Sequence, residues 1–403
     1  MVVDVLQVIE KAMKKTEIVI IGSGVVGASV ACHLTQKGAK DVLILEREAI
    51  QGKGSTGKAT GGVRAQFETE INIKMSLYSL GFFNNCEFDC EYEPRGYLFF
   101  ATDEKQFEYL QRNVEKQKSL GVKDVEIVDK QTIAEICPIL NVSDIVGGSF
   151  GKHDGFINPL AVMNGFTSKA LEKGAKIEFD SKVLSIETIN DKVKSITTNK
   201  GRIECKKVVI CTGAWAKELA QTANIDLPVE PQKRQIIWAK SEKELPAKLP
   251  MVIDIGSGFH FRPARDFVNP SNVEQTSEIL FAYPDPDEKT SFDTNFDESF
   301  IAKVYEKAKH RAPFLYETKI VKEKCRAGLY ENTPDHHAIL GGCSVEGLYF
   351  ANGFSGHGVM HSPATGRALA EIILDGKSSF LDVSCLSLAR FATGELLHET
   401  AFI

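Results

Sequence analysis

The sequence predicts an α/β fold with an α+β insert. One domain of buried parallel strands and covering helices draws its pieces from both ends of the chain. Interleaved with it is a second domain built on a mixed, mainly antiparallel sheet. Three observations carry this reading. A short apolar run ends in a glycine turn near the N-terminus, and a second strand–glycine–helix sequence lies near the C-terminus. Between them, residues 228–283 alternate apolar and polar side chains with glycine and proline punctuation.

Residues 18–21, Ile-Val-Ile-Ile, are wholly apolar, as a strand buried on both faces requires. Gly22-Ser23-Gly24-Val25-Val26-Gly27 follows as G-x-G-x-x-G and leads into a helix predicted over 25–37. The first glycine permits a tight turn, the second lets backbone approach a pyrophosphate, and the third allows close helix–strand packing. The helix directs its unbonded N–H groups and positive dipole end at that anion. A second apolar run, 42–45, closes on Glu46. That is about 20 residues past the motif, where a carboxylate accepts hydrogen bonds from an adenosine ribose. The domain is therefore Rossmann-like, and the carboxylate argues against a 2′-phosphate and so against NADP.

Residues 51–64 are rich in glycine and hydroxyls, among them Ser55, Thr56, Gly61 and Gly62, and suit close packing of backbone around a large cofactor. Residues 71–121 read as largely helical, interrupted by a strand at 97–101. A helix over 161–174 begins after Asn158-Pro159. Short strands follow over 176–179, 182–189, 192–198 and 201–206. A third apolar strand, 207–210, ends in Cys211-Thr212-Gly213-Ala214-Trp215, again a place where backbone can approach a ligand. Residues 284–295 read as a polar, acidic loop and 300–311 as a helix. A strand at 347–351, a glycine turn at 352–358 and a helix over 363–374 close the pattern. The first domain is assigned 16–92, 151–225 and 326–403, and the second 93–150 and 226–325.

The turn Asn352-Gly353-Phe354-Ser355-Gly356-His357-Gly358 places three glycines ahead of a helix, which makes a helix-terminus anion site around His357. Such a dipole stabilises the negative charge of a reduced flavin. His357 then lies near flavin or substrate, the alternative being a histidine satisfied by loop hydrogen bonds. His336 and His337, after Thr333-Pro334-Asp335, are read as surface or loop residues.

Composition is that of an ordinary globular chain, 43% hydrophobic and 25% charged over 403 residues. A net charge of −6 leaves no basic footprint for nucleic acid or anionic membrane. No apolar run approaches the roughly 18 residues of a membrane span. The N-terminal stretch mixes Asp4 and Glu10 with lysines, contains no arginine and lacks an apolar signal core, so the expected compartment is cytoplasmic, with mitochondria the alternative. Nine scattered cysteines, with Cys86 and Cys90 as an isolated C-x3-C, predict reduced thiols and no metal site.

With these motifs in this order the chain resembles the D-amino-acid-oxidase-like flavoproteins, in particular the branch of sarcosine oxidase, dimethylglycine dehydrogenase and glycine oxidase. The resemblance rests on 18–27 with Glu46, on Gly54 to Arg64, on Val208 to Trp215, on Gly328 to Asp335 and on Asn352 to Gly358. The tail from Ala389 to Thr400 also matches. It implies FAD in the first domain and a substrate domain in the second. The implied reaction is hydride transfer to flavin N5 from the C–N bond of a small secondary or N-methyl amino acid, such as sarcosine, dimethylglycine or proline. Arg64 matches an arginine that contacts the substrate carboxylate. Tyr330 falls where relatives place a second carboxylate-binding arginine, and His260, Arg262 and Tyr330 are expected to shape the pocket. Val183 matches a backbone contact to adenine, and Arg47, Trp215, Gly328 and Met360 fall at further cofactor positions.

The departures are equally informative. The cysteine that carries covalent flavin in some members reads Gly328, with Cys325 three residues too early, and the histidine positions read Lys58 and fall near Pro159. Non-covalent FAD is expected. The position of an oxygen-activating lysine reads Leu280, and a later lysine reads Met360, which favours a dehydrogenase with an acceptor other than oxygen. The resemblance leaves two other readings open: a flavoprotein that acts in assembly of a respiratory complex, or the FAD subunit of a hetero-oligomeric amino-acid dehydrogenase.

Overall fold

The structure, a computed structural model, describes residues 14–246, 248–264 and 277–399. Most of the N-terminal stretch and part of the alternating segment, 265–276, lie outside them.

The apolar run predicted at the N-terminus is the end of a strand, Lys14–Ile21, at the middle of an eight-stranded sheet. The path across it runs Ile339–Gly342, Leu348–Asn352, Gly201–Ile210, Lys14–Ile21, Val42–Leu45 and Lys176–Glu178. All neighbours on this path are parallel except the outermost pair, Ile339–Gly342 with Leu348–Asn352. The two faces of the central strand divide as a period of two demands. Ile18 and Ile20 join Ala28, Phe166 and Ala368 from the helices Val25–Gln36, Pro159–Glu172 and Gly358–Asp375. Val19 and Ile21 pack on the other side with Ile186, Ile196 and Leu219. Each buried Val, Ile, Leu or Phe among these contributes roughly 1.5–3 kcal/mol by leaving water.

The sequence reading divided 201–206 from 207–210. The structure has one strand, Gly201–Ile210, because neither glycine nor proline interrupts Lys206-Lys207. Its first half pairs antiparallel with Lys192–Thr198, and it pairs parallel with Lys14–Ile21 along nearly its whole length. The C-terminal helix also differs: it begins at Gly358, ahead of the proline, and carries Pro363 in its interior. Proline at 363 cannot donate to the carbonyl of Val359. The Ser362 hydroxyl donates to that carbonyl at 2.8 Å instead, so the helix continues without an orphaned acceptor.

The second sheet has nine strands among the described residues. Its path runs Thr318–Ile320, Glu230–Ser241, Glu278–Ala282, His260–Pro263, Met251–Asp254, Tyr97–Ala101, Gly147–Gly151 and Val125–Val128. Every pair is antiparallel except Met251–Asp254 with Tyr97–Ala101. The long strand Glu230–Ser241 also holds Arg326–Asn332, so this sheet extends past residue 325, where the sequence division returned the chain to the first domain. The helix Ser299–Arg311 covers one face with Phe300, Val304 and Ala308 against Phe261 and Phe281.

The chain's end is tied back by a buried ion pair. Arg390 donates from Nε and a terminal nitrogen to the two oxygens of Asp335, at 2.7 and 2.9 Å, and also to the carbonyl of His337 at 2.8 Å. His337 lies in a loop, as one of its two readings had it, but is buried rather than at the surface. Its Nδ1 meets the Asp335 carbonyl at 2.6 Å and its Nε2 the Thr69 hydroxyl at 3.0 Å. Burial works to raise the pKa of Asp335, but the hydrogen bonds and charge of Arg390 outweigh it and hold the carboxyl at about 2. Removing one partner strands the other charge, so Arg390→Met is expected to lower stability by roughly 3–5 kcal/mol, measured by denaturant unfolding near neutral pH. The group's folded pKa is depressed, so its contribution is present above the unfolded value of about 4 and is lost as pH falls through about 2. The gap between variant and wild type should narrow across that window.

Candidate active site

The C-terminal ends of the parallel strands lie side by side. Ile21 is in register with both Leu45 and Ile210, and Ile210 with Phe350. The segments that follow these strands therefore open into one cavity of about 690 Å³, which extends from Glu46 and Trp215 to Tyr330 and His357 beneath the second sheet. This is the crevice at which ligands bind in open parallel sheets.

At the first end, the three glycines of 22–27 differ in what surrounds them. A Cβ on Gly27 would stand 2.0 Å from the Gly22 carbonyl oxygen, and one on Gly22 would stand 2.4 Å from the Cys211 carbonyl oxygen. Protein packing alone excludes side chains there. Gly24 is different: its backbone is ordinary (φ −62°), and the nearest neighbour of a Cβ is the Thr56 hydroxyl at 3.2 Å. Its smallness leaves the cavity open in front of the helix N-terminus, where Val25 N–H donates to that same hydroxyl at 3.1 Å. Glu46 accepts from the Ser23 N–H at 3.0 Å and the Ser23 hydroxyl at 2.6 Å, so it braces the glycine turn as well as lining the cavity. Trp215 is sandwiched between the Arg47 guanidinium, 3.7 Å from its ring centre, and Phe292.

The glycine-rich loop contains a short helix, Ser55–Lys58, and is clamped from the second sheet. Arg326 donates to the carbonyls of Lys58 and Ala59 at 3.0 and 3.3 Å, and Arg262 to that of Thr60. Arg262 stacks on Phe156 and lies behind the cavity wall, so it positions the loop rather than shaping the pocket directly. Ser55 ties the loop to the Leu329 carbonyl at 2.7 Å.

At the far end, Arg64, Tyr330 and His357 all reach the cavity. Arg64 is buried, lies 4.0 Å over the Phe67 ring and donates to the Gln66 carbonyl. His357 packs edge-on against Phe67 and its buried Nε2 has no hydrogen-bond partner among the described residues. Burial, then the Arg64 charge, hold its pKa well below the usual histidine value, so the ring is neutral near pH 7. Gly356 gives Tyr330 its place, since a Cβ there would stand 2.5 Å from the phenol ring.

A model of the family described as "FAD dependent oxidoreductase" (DAO) matches residues 17–372. The chain belongs to this family. It is 31% identical to FAD-dependent oxidoreductase domain-containing protein 1 of Xenopus laevis over 96% of this chain and 84% of that one. It is 26% identical to mitochondrial dimethylglycine dehydrogenase of Rattus norvegicus, over 91% of this chain but 44% of the relative. Among solved structures, L-proline dehydrogenase from P. horikoshii superposes with a TM-score of 0.86 at 30% identity, covering 96% of this chain and all of that one.

The cavity fits the family's FAD. It is long, it joins a dinucleotide turn to a polar pocket, and buried atoms on its wall lack partners: the Thr212 hydroxyl, Glu331 Oε2 and His357 Nε2. Of the positions singled out for the cofactor, Gly22, Gly24, Val25, Val26, Glu46, Arg47, Ser55, Thr56, Gly61, Gly62, Val183, Thr212, Gly213, Trp215, Gly328, Phe354, Gly356, His357, Gly358 and Met360 line it. Ser23, Gly27 and Gly353 lie behind the lining. Residues not singled out also reach it, among them Arg234 and Glu331. Burial raises the Glu331 carboxyl to about 7. A charged residue within the alternating strand Glu230–Ser241, and one within its partner Arg326–Asn332, were the available signals.

The contrast between two glycines is testable. Gly24→Ala should leave the apoprotein's stability near wild type and weaken FAD binding about tenfold or more. Gly27→Ala should destabilise the apoprotein itself, because its new methyl meets backbone. Flavin titration and thermal unfolding of both apoproteins read the two effects separately.

Proposed function

We propose that this chain oxidises the C–N bond of a small secondary or N-methyl amino acid, with FAD bound non-covalently along the cavity. The observation that carries the reading is the joining of the dinucleotide turn to a pocket walled by Arg64, Tyr330 and His357. When bound, FAD supplies a two-electron acceptor at its N5.

The protein's part is orientation and electrostatics. The Arg64 guanidinium, fixed over Phe67, offers a charge-assisted anchor to the substrate carboxylate. With the carboxylate held, the neighbouring carbon is presented to the flavin in one orientation. The cationic wall disfavours an ammonium nearby, so it favours the neutral amine whose lone pair assists loss of hydride from the adjacent carbon. Neutral His357 keeps a nitrogen available to the amine or to the product without adding charge. Buried Phe354 and Met360 help exclude water from this end.

Two features support the cofactor's mode and the acceptor. Cys325 lies against the Trp238 backbone, away from the cavity wall, and Gly328 occupies the position nearest the loop, so no thiol stands at the expected attachment point. Leu280 is buried with Trp238 and Ala264, and Met360 lines the cavity, so neither expected lysine is present; we assign the electrons to an acceptor other than oxygen.

Anaerobic mixing with sarcosine, dimethylglycine or L-proline should bleach the oxidised flavin, and acid precipitation should leave that flavin in the supernatant. Turnover with an artificial dye should exceed turnover with oxygen. Arg64→Gln should lower kcat/KM by roughly 10- to 100-fold while FAD content is retained. Flavin that stays oxidised with every amine, or an Arg64→Gln enzyme with wild-type kcat/KM, would contradict the proposal.

A further inference from the structure

The cavity wall carries a second guanidinium that the mechanism above does not use. Arg234 lies in the strand Glu230–Ser241 and lines the same cavity. One terminal nitrogen donates to the Lys233 carbonyl at 3.2 Å, and its guanidinium carbon sits 5.3 Å from the centre of the Tyr330 ring. Its buried Nε has no hydrogen-bond partner among the described residues. The carboxylates that act on it, Glu288 and Asp285, are already engaged by lysines: Glu288 by Lys233 at 3.4 Å and Asp285 by Lys303 at 2.7 Å. A guanidinium on a cavity wall presents N–H donors to the cavity and so suits an anionic acceptor there.

Tyr330 lies within electrostatic reach of both Arg64 and Arg234, so the two cations face one pocket. Lys58 adds a positive side chain to the wall, and Arg47, Lys53 and Lys182 line it elsewhere. The acidic members of the lining are Glu46, Glu48 and Glu218 near the dinucleotide turn, and Glu331, whose carboxyl is held partly neutral by burial. A substrate with a single carboxylate, held at Arg64, brings no anionic group to the Arg234 guanidinium.

We propose that Arg234 receives a second anionic group of the substrate, so that the preferred amine is an amino dicarboxylate: a secondary or N-methyl amino acid with an acidic side chain. This rests on the reading above in which Arg64 takes the α-carboxylate. His260 supports the same pocket. Its Nδ1 is 2.9 Å from the Gly258 carbonyl and therefore carries the proton, which leaves Nε2 of this lining residue as an acceptor suited to a substrate N–H.

The test pairs an acid with its uncharged isostere. Holoenzyme kinetics with a dye acceptor would compare N-methyl-L-glutamate with N-methyl-L-glutamine, and N-methyl-L-aspartate with N-methyl-L-asparagine, with sarcosine as the short reference. The acid of one pair should exceed its amide by about tenfold or more in kcat/KM. Arg234→Gln should collapse that ratio towards one, mainly through KM, with FAD content retained. Arg234→Lys should keep most of the preference, which separates lost charge from lost folding. Amides used as well as acids by the wild type, an Arg234→Gln enzyme that keeps the ratio, or loss of FAD from both variants would overturn the proposal. If sarcosine and all four larger amines leave the flavin oxidised, the amine-oxidation reading fails instead.

Discussion

The register of one strand governs the site. Lys14–Ile21 pairs parallel with Val42–Leu45 on one edge and Gly201–Ile210 on the other, and Gly201–Ile210 pairs parallel with Leu348–Asn352. Parallel pairing brings strand ends together without regard to distance along the chain. Gly22, Glu46, Thr212 and Phe354 therefore lie around one crevice. A slip of one residue would exchange Val19 and Ile21 for Ile18 and Ile20 between the two cores. Both faces are wholly buried, so the register is strongly specified.

The second sheet completes the enclosure. Its long strand carries Arg234, and its neighbour Arg326–Asn332 carries Tyr330 and Glu331, so one antiparallel pair supplies the lid of the cavity. Two arginines from this sheet hold the carbonyls of Lys58, Ala59 and Thr60. The same loop is thereby fixed from above by side chains and from below by Thr56 at the helix N-terminus. The buried Asp335–Arg390 pair then docks the C-terminal tail against the turn that precedes the glycine segment. Electrostatics here do two jobs: paired charges fasten segments, and Arg234, which has no carboxylate ion-pair partner among the described residues, lines the cavity.

Much of this was legible in the sequence. Apolar runs and glycine spacing placed the strands at 18–21 and 42–45, the helix between them and the later strand before Cys211, because burial on both faces leaves little choice of residue. The antiparallel insert was legible from its alternation. Less legible was the strand Gly147–Gly151, whose three glycines and single large residue, Phe150, give no strand pattern; it forms because Tyr97–Ala101 and Val125–Val128 pair on its two edges. The start of the last helix was masked by Pro363, whose missing donor is replaced by a serine hydroxyl. His337 lies in a loop, as read; its burial was hidden because Arg390, which donates to its carbonyl, is distant in sequence. Arg234 was unremarked for a similar reason: only the folded sheet shows which charges in that strand have partners.

The central claim is that one cofactor holds segments from both ends of the chain in a single crevice. Hydrogen exchange of the full chain, compared with and without FAD, tests this most directly. FAD should slow exchange together in residues 22–27, 211–215 and 353–358. Protection confined to 22–64, with 353–358 unchanged, would contradict the account.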